Sequence, residues 1–220
     1  MLGVRTMPVD RIDEVSIHRL DRFDGLAVQE VFDGLSPDSR FARYHTGTPV
    51  LPSGSMSLLG RVDGGDVAAL AARDRGGSAI GLVWLIRTAE HDGELAIEVV
   101  DSWHRRGVGT RLLGAAEEAA RAMGIGRLRA DLLATNRAAV RLIGNTAPHA
   151  TITREGPELV FEWEPRRRRP LRGSARPPPA RGPNIRSYQM LKTRAGDALL
   201  RRVPAGAVPS DRGVATLGSS

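Results

Sequence analysis

The pattern of apolar and polar residues over positions 1–165 predicts one mixed α/β domain. Alternation with a period of two, or a short apolar run between turn residues, predicts a strand, whereas apolar residues recurring every three or four positions predict an amphipathic helix. The predicted strands are Val15–Leu20, Asp66–Arg73, Ser78–Thr88, Glu94–Val100, Arg127–Leu133, Ala150–Thr153 and Leu159–Trp163. The predicted helices begin after Asp24, Ser36, Gly107 and Asn136. Hairpins at both ends and a strand–helix–strand unit between them favour a mixed sheet.

Several helix ends are marked by residues that prefer those positions. Ser36 is a typical N-cap and is followed by proline at the first helical position. Gly124 predicts a left-handed end to the third helix, and Asn136 predicts the cap of a fourth helix that runs to Ile143. The stretch from His45 to Ser57 is rich in Gly, Pro, Ser and Thr, which predicts a loop.

Charge divides the chain into two parts. Residues 166–220 contain 13 basic and 2 acidic residues, a net charge of +11, whereas residues 1–165 contain 19 basic and 23 acidic residues, a net charge of −4. The basic part is rich in Arg, Pro, Gly and Ser, a composition that predicts disorder. We therefore expect a folded domain over residues 9–165 and a disordered tail over residues 166–220. The arginines of the tail predict at most a non-specific attraction to nucleic acid.

Composition excludes several classes of site and membrane segment. The chain has no cysteine, which excludes disulfides, thiolate metal sites and a cysteine nucleophile. Its histidines do not show the spacing of a metal site, so no metal is expected. The longest apolar run, Val67–Ala72, is far shorter than the roughly 20 residues of a membrane-spanning helix, and no signal-peptide core is evident. We expect a cytoplasmic protein without a membrane partner.

Residues 94–113 carry the strongest indication of chemistry. A predicted strand leads through a short loop into a helix N-terminus, where free backbone N–H groups and the helix dipole favour an anion. Gly107 and Gly109 allow close approach to the main chain, and Arg105 and Arg106 add positive charge. The pattern indicates a phosphate or pyrophosphate, and the alternative is a tight turn with solvated arginines. The third glycine of a dinucleotide-binding loop and the lysine of a Walker loop are both missing.

This stretch resembles the acyl-CoA-binding segment of the GNAT superfamily, the Gcn5-related N-acetyltransferases. Those proteins carry Gln/Arg-x-x-Gly-x-Gly/Ala after the fourth strand, and His104 here departs from the usual first residue. The resemblance covers about residues 9–165 and implies a GNAT-like acyl-CoA N-acyltransferase fold. Residues 35–44 are also similar to a helical segment of bacterial protein-lysine acetyltransferase domains.

The resemblance implies how acetyl-CoA binds. The pyrophosphate is expected on the backbone N–H groups from Arg105 to Thr110, and the pantetheine is expected beside the end of the strand, paired as an added strand would be. A splayed strand would leave a backbone N–H, expected at Val100, to stabilise the developing oxyanion. Asn136 is expected either to contact coenzyme A or only to cap its helix. The expected cofactor-binding residues are Val99, Val100, His104, Arg105, Arg106, Gly107, Val108, Gly109, Thr110 and Asn136.

Acetyl transfer to an amine needs a base, because an alkyl ammonium with a pKa of about 10.4 is almost wholly protonated at neutral pH. Glu94 and Glu98 are the two candidate catalytic residues, and their spacing on one strand places them on the same face. Glu94 matches the position where the family often carries a catalytic glutamate. Glu98 is nearer to the expected thioester and interrupts an apolar strand. The alternative for either residue is an ion pair with an arginine of the neighbouring strand.

The sequence departs from the family where the leaving thiolate is protonated. The family often carries a tyrosine seven residues after the asparagine, and that residue here is Ile143. The usual Leu-Gly-Phe ending is replaced by Ala147-Pro148-His149. Either water protonates the thiolate, which suffices for a thiol with a pKa of about 8.5, or the chain binds acyl-CoA with poor turnover.

We therefore expect an N-acetyltransferase that transfers an acetyl group from acetyl-CoA to a primary amine by direct attack in a ternary complex. The acceptor is a small-molecule or protein amine, with a protein lysine as the leading expectation. The alternative is a catalytically weak acyl-CoA-binding regulatory module, and a nucleic-acid-associated protein acting through its tail ranks last. Tyr44 and Trp84 are expected to pack in the core, with an acceptor pocket as the alternative.

Overall fold

The computed structural model describes residues 14–20, 24–44, 49–51, 62 and 65–166. Within these residues, seven strands form one sheet, and the helices pack on its two faces. The strands are β1 Ser16–Arg19, β2 Val67–Arg73, β3 Ala79–Arg87, β4 Asp92–Val99, β5 Arg127–Leu133, β6 Thr151–Glu155 and β7 Glu158–Trp163. The helices are α1 Gly25–Asp33, α2 Pro37–Tyr44, α3 Val108–Ala122 and α4 Arg137–Thr146, with a 3₁₀ turn at Asp101–Trp103. All of these elements belong to one compact unit of the chain, Met1–Ile185.

The sheet is mixed, with the strand order β1-β2-β3-β4-β5-β7-β6. Neighbouring strands are antiparallel except for β4 and β5, which run parallel and are joined by α3. A parallel pair requires such a crossover, and it places the N-terminus of α3 beside the carboxyl end of β4. The mixed α/β prediction is therefore confirmed.

The two faces of the sheet have separate hydrophobic cores. On one face α3 and α4 pack against side chains of β2–β5 and β7, including Leu85, Leu128 and Phe161. On the other face α1 packs against β2 and β3 around Trp84, which is 1% exposed. β3 is buried along nearly its whole length because both of its faces are covered. The prediction that Trp84 packs in the core is confirmed.

The predicted caps at Ser36 and Gly124 are confirmed, and Asp24 forms a further cap at the start of α1. The Asp24 carboxylate accepts from the Ala27 N–H at 3.3 Å, and the Ser36 hydroxyl accepts from the Ser39 N–H at 3.2 Å. Gly124, which follows α3, has a φ of +76°, the left-handed conformation that a glycine adopts without strain.

Element boundaries agree with the sequence pattern to within a few residues. β5 has the predicted limits, β4 begins two residues earlier than predicted and ends at Val99, and α4 continues past Ile143 to Thr146. The predicted loop from His45 to Ser57 falls outside the described residues except for 49–51. The predicted tail also lies outside them, apart from Arg166.

Candidate functional site

The main opening in the sheet lies between β4 and β5. The two strands pair only from Asp92 opposite Arg127 to Glu94 opposite Arg129, and the remaining residues of β4 have no partner on β5. β4 keeps its pairing with β3 up to Val99. The sheet is therefore splayed at the carboxyl end of β4, with one edge of that strand open over residues 95–99.

The backbone of β4 presents alternate residues to this gap. The Val100 N–H donates to the Ile80 carbonyl at 3.0 Å, so it points towards β3. The expectation that the Val100 N–H is free is therefore wrong. Because successive N–H groups of a strand point to opposite sides, Ile97 and Val99 direct their N–H groups to the gap. The imidazole N–H of His104 donates to the Val99 carbonyl at 2.8 Å, which holds the loop against the end of the strand.

The loop between β4 and α3 leads into a helix N-terminus whose cap residue has no side chain. Gly107, with a φ of +83°, is this N-cap residue and therefore forms no side-chain capping hydrogen bond. The first hydrogen bond within the helix runs from the Arg111 N–H to the Gly107 carbonyl. The N–H groups of residues 108–110 consequently lie in the first turn, where an α-helix has no partner for them. This end of α3 suits an anion.

Side chains of the loop have different surroundings from those expected. Arg106 stacks its guanidinium over the Trp103 ring, 5.1 Å from the ring centroid. A Cβ at Gly109 would lie 2.9 Å from a methyl carbon of Leu142, so a side chain at this position would crowd the packing of α3 against α4. The expected contact of Gly109 with the pyrophosphate stays a prediction. Arg105 is exposed and has a φ of +60°, in the left-handed region.

Asn136 acts as a helix cap. Its side-chain oxygen accepts from the Ala139 N–H at 3.1 Å at the start of α4. The capping alternative for this residue is therefore confirmed, and a contact with coenzyme A stays a prediction.

The two candidate bases lie at different points of the splay. Glu94 belongs to the paired end of β4, opposite Arg129 of β5. Glu98 lies four residues further on, about 13 Å along the strand, where β4 and β5 no longer pair. Both side chains are on the face that carries α1 and α2, as their spacing predicts. Only Glu98 combines this face with the open end of the gap.

Glu98 is enclosed by the end of α2. Its side chain is 2% exposed, and Arg43 Nε lies 3.6 Å from its Oε2. The Tyr44 hydroxyl donates to the same oxygen at 2.7 Å. Glu98 Oε1 is buried and has no hydrogen-bond partner among the residues that the structure describes. A buried carboxylate oxygen in this state favours an incoming N–H donor.

Sequence reasoning missed the roles of Arg43 and Tyr44. Tyr44 was expected to pack in the core, and its ring does contact Phe32 with centroids 5.7 Å apart. Its hydroxyl, however, reaches a residue 54 positions away in the chain. The polar groups of Arg43 and Tyr44 at the end of an amphipathic helix could have indicated a site, but no local pattern pairs them with Glu98.

Asp101 connects α2 with the start of the loop. Its backbone N–H donates to the Gly34 carbonyl at 3.2 Å. Burial raises the pKa of the Asp101 carboxyl, but hydrogen bonds from Ser36 and Ser39, with smaller help from His104, lower it more, so that the pKa lies below its usual value. The carboxylate is therefore ionised at neutral pH and fixes the N-terminus of α2.

The comparison with known protein families decides the identity. A sequence model of the Acetyltransferase (GNAT) family matches residues 31–144, just over half of the chain. The chain belongs to the GNAT family. As a GNAT acetyltransferase it is an acyl-CoA-dependent N-acyltransferase. No match was found among curated protein sequences.

Solved structures share the fold of this GNAT protein. The GNAT domain of PAT from S. lividans has a TM-score of 0.63 at 23% identity, covering 68% of this chain and 90% of that one. The PaiA N-acetyltransferase of Thermoplasma acidophilum, solved with coenzyme A, has a TM-score of 0.54 at 17% identity, covering 68% and 98%. The spermidine N-acetyltransferase of Vibrio cholerae, solved with CoA and spermine, has a TM-score of 0.53 at 13% identity, covering 68% and 94%. At these identities the likeness concerns the fold alone.

This GNAT protein lacks a proton donor at the family's tyrosine position. Ile143 is fully buried and packs in the core between α4 and the sheet. The isoleucine that replaces the usual tyrosine is therefore a core residue, and its side chain does not point into solvent.

No group of three or more His, Asp or Glu side chains in the described part of the chain is arranged to hold a metal ion. None of the helices within those same residues is long and apolar enough to cross a membrane.

Proposed function

We propose that this protein transfers the acetyl group of acetyl-CoA to a primary amine, by direct attack within a ternary complex, with Glu98 as the general base. The observation that carries the proposal is Glu98 Oε1, which is buried without a hydrogen-bond partner in the described part of the chain. It lies where β4 and β5 have separated. The ammonium group of an acceptor is the kind of donor that such an oxygen accepts from.

The open edge of β4 and the uncapped N-terminus of α3 fit an acyl-CoA. The N–H groups of Val108, Gly109 and Thr110 bind the pyrophosphate, and Arg105 adds a positive charge beside it. The gap beside β4 accepts the pantetheine as an added strand. When bound, acetyl-CoA supplies an activated acyl group with a thiol leaving group. The N–H of Ile97 or Val99 stabilises the negative charge that develops on its carbonyl oxygen.

Glu98 performs the first proton transfer. Its Oε1 removes a proton from the acceptor ammonium, so one N–H bond breaks and one O–H bond forms. The freed amine forms a C–N bond to the acyl carbon, the C–S bond breaks, and the nitrogen loses its second proton to water as the amide forms. Water protonates the released thiolate, because Ile143 offers no proton and a thiol with a pKa of about 8.5 needs no strong acid. Glu98 then returns its proton to solvent.

The charge of the surrounding face supports a cationic acceptor. Register and alternation place seven carboxylates on the same face of β4, β5, β7 and β6. These residues are Asp92, Glu94, Glu98, Asp131, Glu155, Glu158 and Glu162. Among the described residues, Arg127 and Arg129 of β5 lie on the same face, and Arg43 of α2 pairs with Glu98. A negative face raises the local concentration of cations, and we propose a lysine side chain of a protein as the acceptor.

The test compares Glu98→Gln with its matched control Glu94→Gln, the same change on the same face of the same strand. We expect Glu98→Gln to lower kcat by about 10²- to 10⁴-fold, because the amide cannot take the proton. Glu94→Gln should keep kcat within about threefold, and calorimetry should give both variants the acetyl-CoA affinity of the wild type. Equal losses in the two variants, or an unchanged rate in Glu98→Gln, would contradict the assignment of the base.

The acceptor is tested by thiol release with basic lysine peptides, acidic lysine peptides and diamines. We expect the basic peptides to react fastest. The assays use the Lys192→Arg variant, which removes the only lysine of the chain, so every acetyl-lysine detected belongs to the acceptor. Faster reaction with diamines would contradict the proposal of a protein acceptor.

A catalytically weak acyl-CoA-binding module is the second candidate, favoured by the buried Ile143. This alternative predicts acetyl-CoA binding by calorimetry without thiol release for any amine. The same two measurements therefore separate it from the enzyme.

A further inference from the structure

Tyr44 is held in place on several sides. Its ring packs against Phe32 at a centroid distance of 5.7 Å and an interplanar angle of 58°. The guanidinium of Arg43 lies 5.0 Å from the centroid of the same ring. The hydroxyl is thereby directed to Glu98 and donates to Oε2 at 2.7 Å. A phenol fixed at its ring and bonded at its hydroxyl restricts the rotation of the carboxylate.

The helix that carries Tyr44 is also fixed at its other end. The Ser36 hydroxyl caps the Ser39 N–H at 3.2 Å, and Asp101 accepts hydrogen bonds from both serines. Asp101 begins the turn between β4 and the loop that leads to α3. The N-terminus of α2 is therefore tied to this turn, and its C-terminus contacts Glu98. These two attachments fix the position of Tyr44 relative to β4.

We propose that Tyr44 is a positioning residue, whose hydroxyl holds Oε2 of Glu98 so that Oε1 is left to accept a proton from the substrate ammonium. The inference rests on the proposed function, in which Glu98 is the base. It assigns the two carboxylate oxygens to different partners. Oε2 is bound by the protein, and Oε1, the buried oxygen without a partner among the described residues, is reserved for the acceptor.

The charged and titratable groups around Glu98 are few within the described part of the chain. α2 contributes Arg43 and Tyr44, and β3 contributes the apolar Leu82 directly across the ladder. The next acidic residue on the same face of β4 is Glu94, about 13 Å away. Among the described residues, the Tyr44 hydroxyl, which donates to Oε2, and the Arg43 guanidinium beside it are therefore the polar groups that fix the orientation of the carboxylate.

The test is the Tyr44→Phe variant, which removes one oxygen atom and leaves the ring. We expect kcat near neutral pH to fall by about 10- to 100-fold, in keeping with the loss of a hydrogen bond to a charged group. KM for acetyl-CoA should not change. The loss should disappear when Glu98 is already replaced by Gln, whereas a merely structural role would lower kcat in that background as well.

The matched control is Tyr188→Phe, the same chemical change at the only other tyrosine of the chain, and it should leave kcat unchanged. All variants are assayed at a temperature at which circular dichroism shows them to be folded. The double variant Tyr44→Phe/Glu98→Gln should be no slower than Glu98→Gln alone, because Tyr44 acts only through that carboxylate.

Two results would overturn an assignment, and they are distinguishable. If Glu98→Gln is slow but Tyr44→Phe keeps its rate within threefold, the positioning role is wrong while the base assignment stands. If Glu98→Gln retains the rate of the wild type, the proposed base is wrong, and the positioning role fails with it.

Discussion

Because the backbone at Arg105 is left-handed, we predict that replacing this residue by glycine raises the stability of the protein but weakens ligand binding. Arg105 has a φ of +60° and is the one non-glycine residue with a positive φ in the described part of the chain. The left-handed conformation costs an L-residue about 1–2 kcal/mol. Glycine avoids this cost, but it loses about 0.5–1 kcal/mol more conformational freedom on folding. We therefore expect Arg105→Gly to stabilise the protein by about 0.5–1 kcal/mol, a rise in Tm of about 1–4 °C.

Arg106→Gly is the matched control, because it introduces glycine and removes the same charge one residue later. Arg106 does not have a positive φ, and it loses its contact with the Trp103 ring. We expect this variant to be destabilised by about 1–2 kcal/mol, from glycine in a position with ordinary φ and from the lost cation–π contact.

Thermal and urea denaturation of the ligand-free protein measure the stability, and calorimetry measures acetyl-CoA binding. Both variants should bind acetyl-CoA about three- to tenfold more weakly, a change of about 1 kcal/mol, because each removes one positive charge beside the N-terminus of α3. If Arg105→Gly is destabilised as much as Arg106→Gly, the left-handed backbone stores no strain and the reasoning is refuted. If both variants bind acetyl-CoA with the affinity of the wild type, neither arginine contributes to the pyrophosphate site.

Two further predictions concern buried or partly buried carboxylates. The pKa of Asp101 is lowered in the folded protein, so its contribution to stability is present above the unfolded value of about 4 and is lost as the pH falls through the folded value. Asp101→Asn should therefore melt lower than the wild type at neutral pH, with a difference that shrinks in acid; a difference independent of pH contradicts this. Trp163 donates to Oε1 of the buried Glu117 at 3.0 Å, and Trp163→Phe should lower stability by about 2–4 kcal/mol through the unsatisfied oxygen and the lost volume. Glu117→Gln, which keeps an acceptor, should change it by less than about 1 kcal/mol in the same urea titration, and equal losses would count against the hydrogen bond.

The elements of the fold could be predicted because their signals are local. The limits of β5 follow from alternation over seven residues, and the caps at Asp24, Ser36 and Asn136 follow from the hydrogen bonds that those side chains form with nearby N–H groups. The end of α4 was placed at Ile143, three residues early, because Gly144 to Thr146 are weak helix formers that tertiary packing holds in the helix.

The site depends on relations that no local pattern contains. Whether the N–H of Val99 or of Val100 faces the gap is set by the pairing register of β4 with β3, and a shift of one residue reverses it. The contact between Tyr44 and Glu98 joins residues 54 positions apart. The packing of Gly109 against Leu142 depends on a residue of another helix, which no local pattern indicates. These features could be found only once the elements were packed together.

Because β4 and β5 pair only at one end, the gap between them is closed at that end and open at the other. The core of α3 and α4 continues across this gap, since it contains Leu95 of β4 together with Leu128 of β5 and Phe161 of β7. The gap is thus a slot with a hydrophobic floor, bordered at its open end by Glu98 under α2. A donor and an acceptor that meet in such a slot cannot approach from arbitrary sides. In the ternary complex that we propose, the thioester carbonyl is placed against the strand edge and the amine approaches from the acidic face, so that the sheet sets the angle at which nitrogen meets carbon.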